Sequence, residues 1–374
     1  MPVTILRLAV AWASVAAFIF AGKPLLAQME VPFSSFLIFD WLLVVIVWSA
    51  FGVVHEAEEL AHRLGEPYGT LILTLAIVII EVALISAVML GAHGSPTLGR
   101  DTMFAVLMIV LNGVVGFGLM LGGIKHFSQR YNLKGASSYL AVIIPLSVIP
   151  LILPNFTTST AGGTLTQTQS ISFSLFTVLL YGAFLALQTG RHSEFYREPP
   201  DEGQAGPGAA AAHSPEGTEA EKQKASILPH VILLLANILP IVILSKSLAK
   251  VLDYGITRLG APPALGGILI AMVVFTPECI TALRAITANQ LQRAINLCLG
   301  AAASTLGLTV PAVIGIGLLT GQQVVLGLSP TNMVLLAMTL MLSTLTFTGT
   351  RTTMLEGAVH LGVFFVFLTL VFSP

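Results

Sequence analysis

Residues 63–85 read RLGEPYGTLILTLAIVIIEVALI, and residues 258–284 read RLGAPPALGGILIAMVVFTPECITALR. Arg63-Leu64-Gly65-Glu66-Pro67 recurs as Arg258-Leu259-Gly260-Ala261-Pro262, and each copy runs into an apolar segment that holds one glutamate, Glu81 or Glu278. Gly69 precedes Glu81 by twelve residues, and Gly266 precedes Glu278 by the same twelve. A helix of about 20 mostly apolar residues crosses the hydrocarbon layer, so each glutamate falls inside a span. The rest of the chain agrees. It is 55% hydrophobic and 9% charged, with a mean hydropathy of +0.90, a composition suited to lipid rather than water.

Apolar runs of spanning length recur about eleven times, near 4–22, 35–54, 69–91, 102–124, 138–154, 170–189, 228–248, 264–284, 294–319, 331–348 and 355–373. The alternating short strands of a membrane barrel are missing from the sequence. The chain is therefore expected to be an all-α polytopic membrane protein. The first run follows Arg7 and could serve as a secretory signal, but it is long for a signal core and no small-x-small site stands directly after Phe20. It is read as a retained helix.

Basic residues near helix ends stay on the cytoplasmic side. With eleven spans, 12 of the 17 Lys and Arg residues fall on one face: Arg7, Arg63, Lys125, Arg130, Lys134, Arg191, Arg197, Lys222, Lys224, Arg284, Arg293 and Arg351. Only Lys23, Arg100, Lys246, Lys250 and Arg258 fall on the other. This predicts an inner-membrane protein with a cytoplasmic N-terminus and an external C-terminus, on the periplasmic side.

Between Arg197 and Ser226 the chain reads REPPDEGQAGPGAAAAHSPEGTEAEKQKAS, which has no apolar face to bury and is expected to be a disordered connector. The expected organisation is an N-terminal helix over 1–30, a first five-helix repeat over 31–190, a cytoplasmic linker over 191–226 and a second five-helix repeat over 227–374. Five is odd, so the second copy would lie upside down relative to the first. Inverted repeats with a site at their interface are a recurring plan of secondary transporters.

An ionisable group at mid-bilayer costs several kcal/mol unless paired, hydrated or neutralised, so Glu81 and Glu278 are the candidate ion- and proton-binding residues, and the candidate metal ligands. Thr70 and Thr74 share a helical stripe with Glu81 and offer hydroxyl oxygens, although such threonines often bond back to their own helix. Pro277 lacks the N–H that would hold the Val273 carbonyl, and a freed carbonyl beside a carboxylate suits a hard cation; a simple packing kink is the alternative. Asn112, Asn289, Gln292, Asn296 and Ser304 form a second tier that could line an ion path or bond between helices. His55, Glu56, Glu58 and Glu59 in HEAEEL mark an acidic helix end that gates cation entry or is merely solvated. Glu356 either serves the partner repeat or caps the last helix.

Other chemistries fit poorly. His55 and His62 are seven apart, whereas a zinc-protease helix needs four; Cys279 and Cys298 make no CxxC pair; no GxxxxGK[ST] loop is present to bind ATP. No cofactor, nucleic acid or ATP partner is expected. The partners are inorganic cations, protons and the bilayer, and a homo-oligomer is compatible with the sequence.

HEAEELAHRLGEPYGTLILTLAIVIIEVALI and TPECITALRAITANQLQRAINLCLGAAASTLGLTVP, with LQTGRHSEFY and MLEGAVHLGVFFVF, resemble the ChaA-type bacterial calcium (sodium, potassium):proton antiporters of the calcium/cation antiporter superfamily. The resemblance spans both halves. It implies a ten-helix core of two inverted five-helix repeats plus one N-terminal helix, and exchange of cations for protons with Glu81 and Glu278 as the acidic pair. The superfamily's Gly-Asn-small-small-Glu motif is replaced here by IVIIE (Ile77 to Glu81) and VFTPE (Val274 to Glu278), which leaves calcium against sodium or potassium open. Two carboxylates match one divalent charge, which favours calcium. A cation channel with uncoupled flux and an intramembrane enzyme using paired acids are the alternatives.

Overall fold

The computed structural model describes residues 2–22, 24, 32–64, 68–90, 96–199, 227–262, 264–349 and 351–373. Helices dominate, as they must where lipid offers backbone groups no hydrogen-bonding partner. In order they are α1 (Pro2–Phe20), α2 (Pro32–Leu64), α3 (Tyr68–Met89), α4 (Leu98–Leu107), α5 (Val115–His126), α6 (Leu133–Leu151), α7 (Gln167–Thr189), α8 (Ile227–Leu259), α9 (Ala264–Thr287), α10 (Leu291–Ser304), α11 (Val310–Thr320), α12 (Pro330–Thr346) and α13 (Met354–Phe372). A π-helical segment, Met108–Val114, joins α4 to α5, and a second, Thr305–Thr309, joins α10 to α11, so each of these pairs crosses as one rod.

Nine of the described helical rods are long and apolar enough to cross a membrane, and Thr74–Met89 and Pro330–Thr346 are shorter apolar helices. After α1 the order is five and five: α2, α3, α4–α5, α6, α7, then α8, α9, α10–α11, α12, α13. Both π-segments fall in the third rod of their half. Met108 and Thr305, which begin them, are 197 residues apart, the same separation as Glu81 and Glu278. The internal repeat thus extends to a backbone irregularity that costs regular hydrogen bonding and is frequent at functional positions.

Two rods run well past the expected spans. α2 continues to Leu64 rather than ending near 54, and α8 continues to Leu259 rather than near 248. Each has 33 residues, or about 50 Å of helix, against about 30 Å of hydrocarbon. The apolar criterion stops at the first charges, whereas EAEELAHRL and SLAKVLDY are good helix formers and carry the helix on. α2 and α8 pack along each other, and α1 lies against both.

A two-stranded antiparallel pairing, Gln129 with Thr352 and Arg130 with Arg351, ties the loop after α5 to the loop before α13. Glu356 caps α13: its carboxylate accepts from the Thr353 N–H at 2.8 Å, and Thr353 and Glu356 also bond through their side chains. Outward faces carry Phe33, Phe36, Leu179 and Phe365, while Glu81, Asn112, Thr305, Thr309, Thr339 and His360 are buried. This apolar-out, polar-in arrangement is the one a bilayer imposes. From residue 200 onward the expected linker lies outside the described residues.

Candidate functional site

Each glutamate sits on the second rod of its half, and that rod packs against the third rod of the other half. Glu81, on α3, is fully buried, and its Oε2 accepts a 3.0 Å hydrogen bond from the Thr305 hydroxyl in the second π-segment. Thr309, one turn on, faces the same carboxylate. Yet Thr309 Oγ1 and Glu81 Oε1 are both buried without a hydrogen-bond partner among the described residues. Glu278, on α9 directly after Pro277, is also buried, and both of its carboxylate oxygens lack a partner among the same residues. The two carboxylates are close enough for their charges to interact.

Four buried oxygens from the two halves of the chain are therefore left without a hydrogen bond of good geometry among the described residues. Each buried oxygen without a partner costs on the order of 1–3 kcal/mol, and more when charged, so these carboxylates call for a proton, a water or an ion beside them. Carboxylate and hydroxyl oxygens are ligands for hard cations, and carboxylates are also proton acceptors.

A cavity of about 480 Å³ leads to this region. Glu278, Thr74 and Ser304 line its inner part, and Asn296, Gln188, Ser193, Tyr196 and Arg197 line it toward the face that carries the α7–α8 connection. Tyr139, Tyr181, Phe184 and Tyr196 form an aromatic wall, with Tyr139 and Phe184 ring centroids 5.1 Å apart and Tyr139 and Tyr196 5.3 Å apart. Glu81 does not line the cavity. The acids are thus unequal: Glu278 meets the vestibule, and Glu81 stands behind it on the Thr305 hydroxyl.

The other candidates divide. Thr74 borders the vestibule and interacts with Tyr181, while the side chain of Thr70 lies outside the described residues. Ser304 donates to its own helix at the Ala301 carbonyl, 3.0 Å away. Asn296 donates to the Tyr196 carbonyl at 2.7 Å and accepts from Gln292, whose own oxygen holds the Asn132 N–H at 2.6 Å. Asn289 sits at a turn with φ 60° and accepts from Gln129 at 3.1 Å. Asn296 lines the vestibule, and Gln292 and Asn289 fasten loops.

In the acidic helix end, His55 is exposed and Glu59 lies 3.8 Å from Arg63, but Glu56 is buried and binds His230 at 2.7 Å. Glu58 is close enough to interact with the Glu278 charge. Nearby, the Arg7 Nε donates to Asn237 Oδ1 at 3.0 Å, so a buried guanidinium clips α1 to α8. Asn112 lies in the first π-segment with its amide bound to Thr339 and His360.

Thr309, His230, Tyr181 and His360 were not singled out from the sequence. Thr309 had a signal there, because it stands 197 residues after Asn112, in the same relation as the two glutamates.

Helices in two repeated halves, with paired buried carboxylates between them and a vestibule reaching one, define a polytopic membrane protein of the ion-handling kind. The sequence matches the family model for the sodium/calcium exchanger protein over residues 34–190 and 229–373, and the chain belongs to that family. It is 38% identical over 341 residues to the sodium-potassium/proton antiporter ChaA of Escherichia coli (strain K12), covering 88% of this chain and 87% of that one. The fold is similar to native YfkE, with a TM-score of 0.71 at 17% identity over 98% of this chain and 100% of that one. It is also similar to the H+/Ca2+ exchanger CAX, with a TM-score of 0.68 at 13% identity over 98% and 87%.

Proposed function

We propose that the chain is a secondary active antiporter that exchanges a cation for protons across the bacterial inner membrane, with Glu81 and Glu278 as the shared site. The observation that carries this reading is the set of unpartnered buried oxygens, Glu81 Oε1, both Glu278 oxygens and Thr309 Oγ1, at the head of a vestibule. A cation would satisfy these oxygens when the carboxylates are ionised, and protons would neutralise the carboxylates when it leaves. One site that takes either a cation or protons exchanges them as it alternates between the two faces.

Two carboxylates balance one divalent charge, which favours Ca²⁺, in keeping with the described substrate of the CAX fold; the ChaA relative is described for sodium and potassium. Thr305 holds Glu81 from the far side of the site, so Glu278 is the group that first meets ions arriving through the vestibule. Placement of the basic residues supports a cytoplasmic vestibule and N-terminus and a periplasmic C-terminus.

The test is dequenching of a pH-sensitive dye in everted vesicles, titrated with Ca²⁺, Na⁺ and K⁺ in turn. Saturable, cation-driven proton movement is expected, with Ca²⁺ effective at the lowest concentration. Cation flux that carries current without moving protons would instead identify a channel.

A further inference from the structure

The two π-segments stand in the same sequence relation to the two glutamates but are used differently. Thr309, 197 residues after Asn112, faces Glu81. Its counterpart Asn112 should by the same relation face Glu278, and the backbone places it at that height. α9 runs parallel to the α4–α5 rod: Gly267 lies against Thr102, where an added Cβ would come within 2.7 Å of the Thr102 nitrogen, and Gly118 lies against Ile286. Glu278 is eleven residues beyond Gly267, and Asn112 is ten beyond Thr102. At about 1.5 Å per residue the two are level within a turn.

The Asn112 side chain nevertheless makes no hydrogen bond to Glu278. Its Nδ2 donates to Thr339 Oγ1 at 2.8 Å, and Thr339 donates onward to the Leu335 carbonyl. Its Oδ1 accepts from His360 Nδ1 at 3.0 Å, and His360 Nε2 accepts from the Thr346 hydroxyl at 3.0 Å. His360 is fully buried, and in the tautomer that donates from Nδ1 both ring nitrogens are satisfied. A buried histidine with no place in the ion site is thus spent on holding one amide.

We propose that His360 is a positioning residue: with Thr339 it keeps the Asn112 carboxamide away from Glu278 in the state seen here, and that carboxamide passes to Glu278 when the site faces the other side. The argument is the repeat itself. In this state the Thr305–Thr309 segment backs Glu81 while Glu278 opens to the vestibule; exchanging the roles of the two halves puts Asn112 on Glu278 and opens Glu81. His360 and Glu278 then compete for one amide, and the competition biases which side is open. The inference rests on the inverted-repeat reading of the antiporter.

The experiment reads vestibule opening rather than exchange, so it stands apart from the test of the glutamates. Ala301 lines the vestibule one turn before Thr305, and Ala301→Cys, in a Cys279→Ser and Cys298→Ser background, is labelled with an impermeant maleimide from the face that carries Arg197. His360→Ala is expected to slow labelling by roughly two- to tenfold, the weight of one net hydrogen bond, and His360→Gln to restore much of it. In an Asn112→Ala background, His360→Ala should change nothing further, since its effect passes through the amide. Thr339→Val should slow labelling in the same sense and supplies the reading if His360→Ala does not insert. Unchanged labelling in both His360→Ala and Thr339→Val, or an equal effect of His360→Ala with and without Asn112, would overturn the assignment.

Discussion

Thr305→Val removes the 3.0 Å hydrogen bond that Glu81 Oε2 receives and leaves the shape of the side chain nearly intact. Glu81 is fully buried, so water cannot replace the lost donor without opening the packing between α3 and the second π-segment. A hydroxyl donating to a carboxylate contributes about 1.5–3 kcal/mol, against about 0.5–1.5 kcal/mol for a neutral hydrogen bond of the kind it makes with a protonated carboxyl. The difference, about 1–1.5 kcal/mol, falls on the ionised form that the cation requires. At about 1.4 kcal/mol per factor of ten, the cation concentration for half-maximal exchange should rise roughly five- to tenfold. Thr309→Val should have a smaller effect, because the Thr309 hydroxyl faces Glu81 without a hydrogen bond of good geometry. Initial rates of dye dequenching against cation concentration, in vesicles with matched protein, measure both. An unchanged half-saturation in Thr305→Val would refute the reasoning that this hydroxyl readies Glu81 for the cation.

Further expectations follow from close packing and from topology. A Cβ on Gly307 would lie 2.6 Å from Tyr181 Cβ, so Gly307→Ala should displace the second π-segment, cost about 1–3 kcal/mol and reduce exchange, with Tyr181→Ala restoring part of it; thermal unfolding and exchange measured together check this. A Cβ on Gly52 would collide with Arg7 and Asn237, so Gly52→Ala should loosen α1 and lower the unfolding temperature while leaving the glutamates in place. A reporter fused at the C-terminus should be periplasmic and one inserted near residue 210 cytoplasmic, as protease access from either side would reveal.

Much of this was legible in the sequence because the bilayer permits few solutions. Apolar runs became helices, and the twelve-residue spacing from glycine to glutamate marked two acidic residues that the fold buries on the second rod of each half. Helix ends were less legible, since α2 and α8 continue through charged residues that end an apolar run but not a helix. Partners were least legible. Nothing local in VVHEAEEL indicates that Glu56 reaches His230, 174 residues away, or in the run around Asn112 that it bonds to His360, 248 residues away. Such pairings depend on how helices distant in sequence are rotated against one another. The π-segments were likewise hidden, because a single wide turn changes the direction of Thr305 and Thr309 without altering composition.

The central claim, that Glu81 and Glu278 bind cation and proton in turn, is tested most directly by Glu81→Gln and Glu278→Gln. The amide keeps the shape and hydrogen-bonding capacity of a protonated carboxyl and cannot ionise. Each variant should insert and purify like the native protein and should show no cation-driven proton movement in everted vesicles with Ca²⁺, Na⁺ or K⁺. Near-native exchange in either variant would contradict the account.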